Sequence, residues 1–402
     1  MISMKCRMDM PTKLGVKMSS LNDLMQPIFG GNTVRSESVM IIEKGEIKEL
    51  LYPIDEVLSV TSCDNTVTYA AGVDYEVVEG KLRVLENSSI PAMTPEVYYN
   101  FVSPEPGISI VLDGKELVWG ENILRPYQIN VTYTHKTPWE GFRQESYADV
   151  YGDFIEKLKA GEDVTVFFYG DSITYGATSS WMDDLQPLQY PYPILFTEAL
   201  ADLYGYTVHY EDYTHLPISP GLSGAPKVPE KDYVAGTRGT ITYVNTSEGG
   251  ESITRAGADK MESYVLDPIR KHGCDLFVLA YGMNDGFAPD VTEYAATVLD
   301  KVWAEKPDTA IVVLATMVPH PNTNWDGNQK HHEEPFLHFT QQLRDAGRSV
   351  AVARMTSVSK AVLEKKTFSD YSGNNINHPN DFFCRVYAQT LLQTVIGYEN
   401  MQ

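Results

Sequence analysis

The chain has 402 residues, a length that predicts two domains, and its hydrophobic content of 43% is enough for globular cores. With 32 basic against 54 acidic residues, the net charge of −22 disfavours nucleic acid and anionic membranes as partners.

The beginning of the chain shows no targeting segment. The first thirty residues include basic side chains but no continuous apolar stretch of the kind found in signal peptides. No apolar run approaches the ~18 residues of a membrane span. We therefore expect a cytoplasmic protein, or a secreted one if a signal peptide has been removed.

Short strand-like segments separated by turn residues fill residues 1–140. They are Val39–Ile42, Glu56–Val60, Thr66–Tyr69, Tyr75–Val78, Lys81–Leu85, Ile108–Leu112 and Gln128–Tyr133. Such spacing is typical of an antiparallel β-sandwich or jelly roll. We place the boundary of this N-terminal domain near Thr137-Pro138-Trp139.

Strands and helices alternate in residues 141–402. A helix is predicted over Tyr147–Leu158 and a closing amphipathic helix over Phe382–Ile396. The predicted strands are Val164–Phe168, Thr207–Tyr210, Ile241–Val244, Leu276–Ala280, Ala310–Ala315 and Val350–Arg354. This alternation predicts a doubly wound parallel sheet that binds ligands at the carboxyl ends of its strands.

A Gly-Asp-Ser turn directly follows the first strand of this second region. Gly170-Asp171-Ser172 therefore lies at the edge of the sheet where chemistry is expected. A serine there can direct its hydroxyl into the crevice, and its backbone N–H can stabilise an oxyanion. Ordinary turns use the same three residues, so the triplet alone decides little.

Three further polar blocks follow in order. With the Gly-Asp-Ser turn counted as the first block, the second is Asn245–Ser252, the third is Gly282-Met283-Asn284-Asp285 after a predicted strand, and the fourth is Asn374–Asp381. Each could be only a turn or a loop. Their order and spacing argue against such a coincidence.

Together the four blocks resemble those of the SGNH hydrolases, also called GDSL-type esterases and lipases, over roughly residues 145–400. The resemblance implies that Ser172 is the nucleophile and that His378 is the general base. It also implies an oxyanion hole formed by the N–H groups of Ser172 and Gly250 and by the amide of Asn284. Asn245, five positions before Gly250, matches the asparagine of the same family block.

Two positions depart from the family pattern. Ile173 replaces a leucine, a change that conserves volume. Asn375 lies three residues before His378, where the family usually has aspartate. An amide can orient an imidazole, but it cannot stabilise the imidazolium. Removing such an acid has cost roughly 3 × 10⁴ in turnover in a serine protease.

Three explanations of Asn375 remain open. His378 works in a Ser–His dyad held by a backbone carbonyl or by Asn375; another acid substitutes, with Asp381 or Asp370 nearest in sequence; or the site is weakened or inactive. We favour the dyad because the other blocks are intact, with Asp171, Asn375 and Asp381 as supporting residues. On that basis, Asn375→Asp is expected to leave activity within about tenfold.

Two loops are expected to shape the pocket, Leu216–Gly239 and the segment from Pro319 to Trp325 that leads into His331-His332-Glu333-Glu334. Adjacent histidines lack the i, i+4 spacing of metal ligands on a helix, so a solvated helix start is favoured over a metal site. Trp181 and Trp325 either stack on a sugar ring or pack internally.

The four cysteines, Cys6, Cys63, Cys274 and Cys384, show no metal or redox spacing. Cys274 and Cys384 lie in or beside apolar segments, and we expect them to be buried free thiols.

These features predict a serine esterase that removes short acyl groups, with O-acetyl favoured, from a carbohydrate without a metal or cofactor. The carbohydrate rests on resemblance, because some carbohydrate esterases of the SGNH type carry an N-terminal β-domain. The expected partner is a small-molecule or oligosaccharide ester, and the oligomeric state is not predicted. The alternatives are a hydrolase of lipid, aryl or thioesters, and a glycan-binding module on an impaired hydrolase scaffold.

Overall fold

A computed structural model of the chain describes residues 21–102, 108–256, 260–286, 291–324 and 332–398. The N-terminal part of these residues contains eight strands. They are β1 (Thr33–Met40), β2 (Ile47–Lys48), β3 (Glu56–Ser62), β4 (Tyr75–Val78), β5 (Lys81–Val84), β6 (Val111–Leu112), β7 (Lys115–Glu116) and β8 (Gln128–Thr134). They form three small antiparallel sheets with the orders β1-β8-β3, β2-β5-β4 and β6-β7.

Antiparallel β-structure in the N-terminal region is thereby confirmed, although individual strands differ from the prediction. Thr66–Tyr69 runs back along β3, but it forms only an isolated bridge between Thr68 and Thr61. The segment predicted at Ile108–Leu112 is reduced to β6, and β1 begins at Thr33. Three sheets of two or three strands do not establish a sandwich or jelly roll, so that arrangement stays a prediction.

The second region is built on a seven-stranded sheet. Its strands are β9 (Val164–Gly170), β10 (Thr207–Tyr210), β11 (Tyr233–Val234), β12 (Thr240–Asn245), β13 (Leu276–Ala280), β14 (Ala310–Ala315) and β15 (Val350–Arg354). Their order is β11-β10-β12-β9-β13-β14-β15, and only the edge strand β11 pairs antiparallel. All six predicted strands of this region are therefore confirmed, and β9 lies where the strand order reverses, which is the expected ligand site of an open sheet.

The N-terminal region has two short helices, α1 (Leu21–Leu24) and α2 (Pro95–Tyr98), and a 3₁₀ turn at Arg125–Tyr127. The helices of the second region are α3 (Gly152–Ala160), α4 (Ser172–Tyr175), α5 (Tyr192–Tyr204), α6 (Ile253–Ala256), α7 (Asp267–His272), α8 (Val291–Glu305), α9 (Glu333–Asp345), α10 (Met355–Leu363), α11 (Phe368–Tyr371) and α12 (Asp381–Ile396), with a π-helical turn at Glu262–Leu266. In the described ranges no helix is long and apolar enough to cross a membrane.

The last helix differs from the prediction. Every residue of α12 from Phe382 to Ile396 is buried, so the helix is not amphipathic. It packs against α5 and β15 on the sheet and against β1 of the N-terminal region. A helix covered on several sides has no solvent face.

The two regions share one hydrophobic core, which includes Val131 and Tyr133 from β8 and Tyr192 and Tyr387 from α5 and α12. A fully buried ion pair also joins them, because Lys366 Nζ lies 2.6 Å from Glu37 Oε1. The boundary at residue 140 stays a prediction. The burial and free state predicted for Cys274 and Cys384 are confirmed.

Candidate active site

The candidate nucleophile lies at the junction between β9 and α4. Ser172 is the first residue of α4, and the Asp171 carboxylate caps that helix by accepting from Ile173 N at 3.0 Å. The first N–H groups of a helix lack intrahelical acceptors, which leaves the Ser172 N–H available to a ligand. A Cβ on Gly170 would lie 2.5 Å from Ala280 O, so only glycine fits at the end of β9.

The loop between α11 and α12 brings His378 to this serine. His378 Nε2 lies 2.9 Å from Ser172 Oγ, although the two residues are far apart in the chain. The loop is closed by hydrogen bonds from Gly373 N to His378 O at 2.9 Å and from Ser372 Oγ to the same oxygen at 3.0 Å. The sequence-predicted nucleophile and base are therefore in direct contact.

The second block forms a loop beside the nucleophile. Asn245 Nδ2 donates to Thr174 O at 3.1 Å, which ties the end of β12 to α4. A Cβ built on Gly249 would lie 3.8 Å from Ser172 Cβ, so this loop adjoins the serine. Gly250 has φ +84°, a left-handed conformation that favours glycine. The Gly250 N–H is thus held by a backbone conformation in which most other residues would be strained.

Buried charges brace the same loop. Glu248 and Glu251 lie on either side of the two glycines, and Lys260 pairs with both, at 2.7 Å from Glu251 Oε2. Asn284, from the third block, donates its amide to Glu251 O at 2.8 Å. An amide group has two N–H bonds, so Asn284 retains one for a ligand. The three donors expected for an oxyanion hole belong to elements that flank Ser172.

Asp171 and Asp285 are two buried carboxyl groups in the blocks that contain Ser172 and Asn284. Burial, opposed by the N–H of Ile173 and reinforced by the charge of Asp285, raises the pKa of Asp171 to about 7. Burial likewise raises the pKa of Asp285, which accepts from Thr254 N at 3.1 Å. Asp171 supports the site by capping α4.

The predicted supporting role of Asn375 is not what the structure shows. Its side chain points away from the imidazole and donates to Val118 O at 2.7 Å, in the N-terminal region. Its backbone has φ 65°, which asparagine tolerates better than most residues. This left-handed turn rotates the residue out of reach of His378, so a dyad held by Asn375 is excluded in this geometry.

Neither of the two substitute acids nearest in sequence reaches His378. Asp381 pairs with Arg125 at 3.3 Å and accepts from Ser180 N at 2.8 Å. Asp370 pairs with Lys48 at 3.3 Å and accepts from Met40 N at 2.8 Å. Both carboxylates therefore join the two regions of the protein.

An acid that the sequence did not point to lies beside the histidine. Glu121 Oε1 is 3.2 Å from His378 Nδ1, and the Glu121 side chain is 62% exposed. The residue belongs to the N-terminal region, in the stretch between β7 and β8. No motif marks Glu121, because its proximity depends on how the two regions pack. In the sequence, Glu121 lies only within a group of turn-forming residues, Gly120-Glu121-Asn122.

Several other predicted features have been located. Trp181 lies 5.1 Å from Tyr190 between ring centroids, and Lys227 Nζ lies 4.7 Å above its ring, so this indole packs within the protein surface. Ser223, in the loop predicted over Leu216–Gly239, accepts from Gly249 N at 2.7 Å and so lines the site. Trp325 and His331 lie outside the described residues.

The described ranges contain no group of three His, Cys, Asp or Glu side chains arranged to hold a metal ion. Two cavities of about 430 and 210 Å³ are present, one lined by residues such as Ile42 and Pro95 and the other by residues such as Tyr151 and Asp308. Neither of these two is lined by Ser172 or His378.

Comparison with known proteins yields similarities of fold. No family model matches the chain, and no curated protein is significantly similar to it. A two-domain esterase active on acetylated mannans, crystallised with mannopentaose, is 15% identical with a TM-score of 0.42. That match covers 64% of this chain and 55% of the esterase, so the chain spans about half of that protein's length.

In two other similar structures the match covers almost the whole of the other chain. A carbohydrate esterase of family 3 from Talaromyces cellulolyticus is 14% identical, with a TM-score of 0.39 and coverage of 60% of this chain and 99% of that one. A protein of Desulfitobacterium hafniense described as lipolytic and of the G-D-S-L family is 11% identical, with a TM-score of 0.35 and coverage of 57% and 97%. The similarity to these carbohydrate esterases and to the lipolytic protein is one of fold.

Proposed function

We propose that this protein is a serine ester hydrolase that forms an acyl-enzyme on Ser172. The observation that carries the proposal is the 2.9 Å contact between His378 Nε2 and Ser172 Oγ at the carboxyl end of β9. A serine hydroxyl needs an adjacent base to become a nucleophile, and an imidazole has a proton affinity suited to that task near neutral pH.

The proposed reaction has two halves. His378 takes the hydroxyl proton at Nε2 while Ser172 Oγ attacks the ester carbonyl, and it then gives that proton to the leaving alcohol. A water molecule, deprotonated by the same nitrogen, attacks the acyl-enzyme and releases the acid, and Nε2 returns the proton to Ser172 Oγ. The N–H groups of Ser172 and Gly250 and the amide of Asn284 stabilise the oxyanion in both halves.

We also propose that the substrate is a carbohydrate ester with a short acyl group such as O-acetyl. The support is the sequence resemblance together with the site's polar surroundings, which include the exposed carboxylate of Glu121 and the hydroxyl of Ser223. Such groups can hydrogen bond to sugar hydroxyls. Because one of the structures similar in fold is active on acetylated mannans, acetylated mannan is a suitable first polysaccharide to test.

The test is hydrolysis of p-nitrophenyl acetate, butyrate and octanoate by the wild-type protein and by Ser172→Ala and His378→Ala. Each variant is expected to lose at least ~10³-fold in kcat, because nucleophile and base act as a unit. Ser359→Ala is the matched control, since Ser359 is also buried and hydrogen bonded, accepting from Val318 N at 3.0 Å, but lies on α10. Activity that declines from acetate to octanoate supports the short-acyl substrate.

The opposite outcome is equally informative. If no ester is hydrolysed in a Ser172-dependent manner, the esterase proposal is wrong. Calorimetric titration with mannan oligosaccharides then tests the glycan-binding alternative. Preference for octanoate instead redirects the search to lipid esters.

A further inference from the structure

We infer that Glu121, a residue of the N-terminal region, positions His378 for catalysis in place of the missing aspartate. The inference rests on the proposed function, because it assigns a role toward the proposed general base. Its first support is the 3.2 Å contact between Glu121 Oε1 and His378 Nδ1, the ring nitrogen that faces away from Ser172.

The hydrogen bonds of Asn374 limit which ring nitrogen of His378 can carry the proton. Its Oδ1 accepts from the backbone N–H groups of Ile376, Asn377 and His378 at 2.9, 3.0 and 3.0 Å. These three bonds hold the oxygen, so the amide cannot rotate to offer Oδ1 to the imidazole. Asn374 therefore presents only its NH₂ group, at 3.0 Å from His378 Nδ1.

Two tautomers of His378 compete for this position. If Asn374 donates to Nδ1, the ring proton lies on Nε2 and faces Ser172 Oγ, and the imidazole cannot accept the serine proton. If Nδ1 carries the proton, the neighbouring acceptor is the Glu121 carboxylate, and Nε2 is free to act as base. Asn374 then directs its two N–H bonds to Asn377 Oδ1, at 3.0 Å, and to Glu121.

The charge balance favours the second tautomer. Partial removal of the Glu121 carboxylate from water tends to raise its pKa. Hydrogen bonds from His378 and Asn374, together with the charge of His378, outweigh that effect and hold the pKa of Glu121 below its ordinary value. Glu121 is thus an ionised acceptor at neutral pH. It remains ionised throughout the reaction, while the proton from Ser172 moves to Nε2 and then to the leaving alcohol.

The backbone on both sides of Glu121 is anchored to the site. Gly120 N donates to Asn374 O at 3.1 Å, and Asn122 Nδ2 donates to Asp183 Oδ2 at 2.8 Å, in the segment after α4. Two residues before Gly120, Val118 O accepts from Asn375 Nδ2 at 2.7 Å. Asn375 therefore anchors the segment that carries Glu121.

The exposure of Glu121 limits the size of its effect. A side chain that is 62% exposed is screened by water, unlike the buried aspartate of most serine hydrolases. We expect Glu121→Gln to lower kcat by ~10- to 100-fold, well below the roughly 3 × 10⁴ measured for a buried triad acid. Glu121→Asp, which keeps the charge on a shorter side chain, is expected to retain more activity than Glu121→Gln.

The decisive measurement is the tautomer of His378 by ¹⁵N NMR of histidine-labelled protein near pH 8, with the resonance assigned from its loss in His378→Gln. The wild-type protein is expected to carry the proton on Nδ1, and Glu121→Gln is expected to shift it toward Nε2. An unchanged tautomer in Glu121→Gln overturns the inference, whether or not the protein hydrolyses esters.

Kinetics supply the second measurement. The acidic limb of kcat/KM for p-nitrophenyl acetate is expected to move to lower pH in Glu121→Gln, because the imidazolium loses its carboxylate partner. Asp171 and Asp183, the other carboxyl groups near the imidazole, are present in both proteins. Glu140→Gln, which removes an exposed glutamate elsewhere, is the matched control. If the wild-type protein has Ser172-dependent activity and Glu121→Gln matches it within twofold, the role of Glu121 is refuted while the esterase proposal stands.

Discussion

Asn375→Asp is expected to destabilise the folded protein, and to do so more strongly as the pH rises. The side chain is fully buried, and its Nδ2 donates to Val118 O at 2.7 Å. An ionised aspartate would place a carboxylate oxygen against that carbonyl, so burial should keep the new carboxyl protonated. The cost is then about 1.4 kcal/mol for each pH unit above the ordinary aspartate pKa of about 3.9, or about 4 kcal/mol at pH 7 and about 1.5 kcal/mol at pH 5.

The sign of this pH dependence follows from linkage. The folded variant binds a proton that the unfolded chain has released, so its free energy of unfolding falls as the pH rises between these values. Urea unfolding of the wild type and the variant at pH 5 and pH 7 measures the difference. Asn100→Asp is the matched control, since Asn100 also donates to a carbonyl, Glu96 O at 3.2 Å, but is exposed. The control is expected to change stability by at most about 0.5 kcal/mol at either pH.

A variant with unchanged stability at pH 7 would refute this account of Asn375. An increase in kcat would do so in another way, because it would mean that a carboxylate at position 375 reaches His378. The expectation from sequence, that the activity of Asn375→Asp stays within about tenfold, stays a prediction. The structure adds to it a stability effect that acts through Val118.

Three further substitutions test close packing at the site and buried charge in the protein. Gly170→Ala would place a Cβ 2.5 Å from Ala280 O, and we expect a loss of at least about 1–3 kcal/mol in thermal unfolding, together with loss of esterase activity. Because burial raises the pKa of Asp171 to about 7, the folded protein binds a proton that the unfolded chain has released, and its stability falls as the pH rises from about 4 to 7. Asp171→Asn lacks this titration, so in urea unfolding its stability relative to the wild type should increase as the pH rises from 5 to 8. Lys366→Met leaves the buried carboxylate of Glu37 unpaired and should cost about 3–5 kcal/mol, with partial recovery in the double variant Lys366→Met/Glu37→Gln.

Much of the parallel sheet was accessible from the sequence because its strands are continuous apolar runs. β9, β13 and β14 are buried along their whole length, as expected for central parallel strands. The N-terminal strands were harder to place, since β2, β6 and β7 each have two residues, too few for a periodic pattern. The prediction that α12 has a solvent-exposed face was wrong, because the sequence of a helix does not specify which other elements pack against it.

The amino-acid sequence was enough to predict the strands of the parallel sheet and the Gly-Asp-Ser turn, because each depends on a few adjacent residues. The pairing of Ser172 with His378 was implied only by the resemblance of four short blocks to those of the SGNH hydrolases. The surroundings of His378 Nδ1, in contrast, depend on the tertiary structure. The left-handed backbone at Asn375 turns its side chain toward Val118, and the packing of the N-terminal region brings Glu121 within 3.2 Å of Nδ1. Contacts between residues so distant in the chain leave no pattern in either segment, because they arise only when the two regions bury a common core.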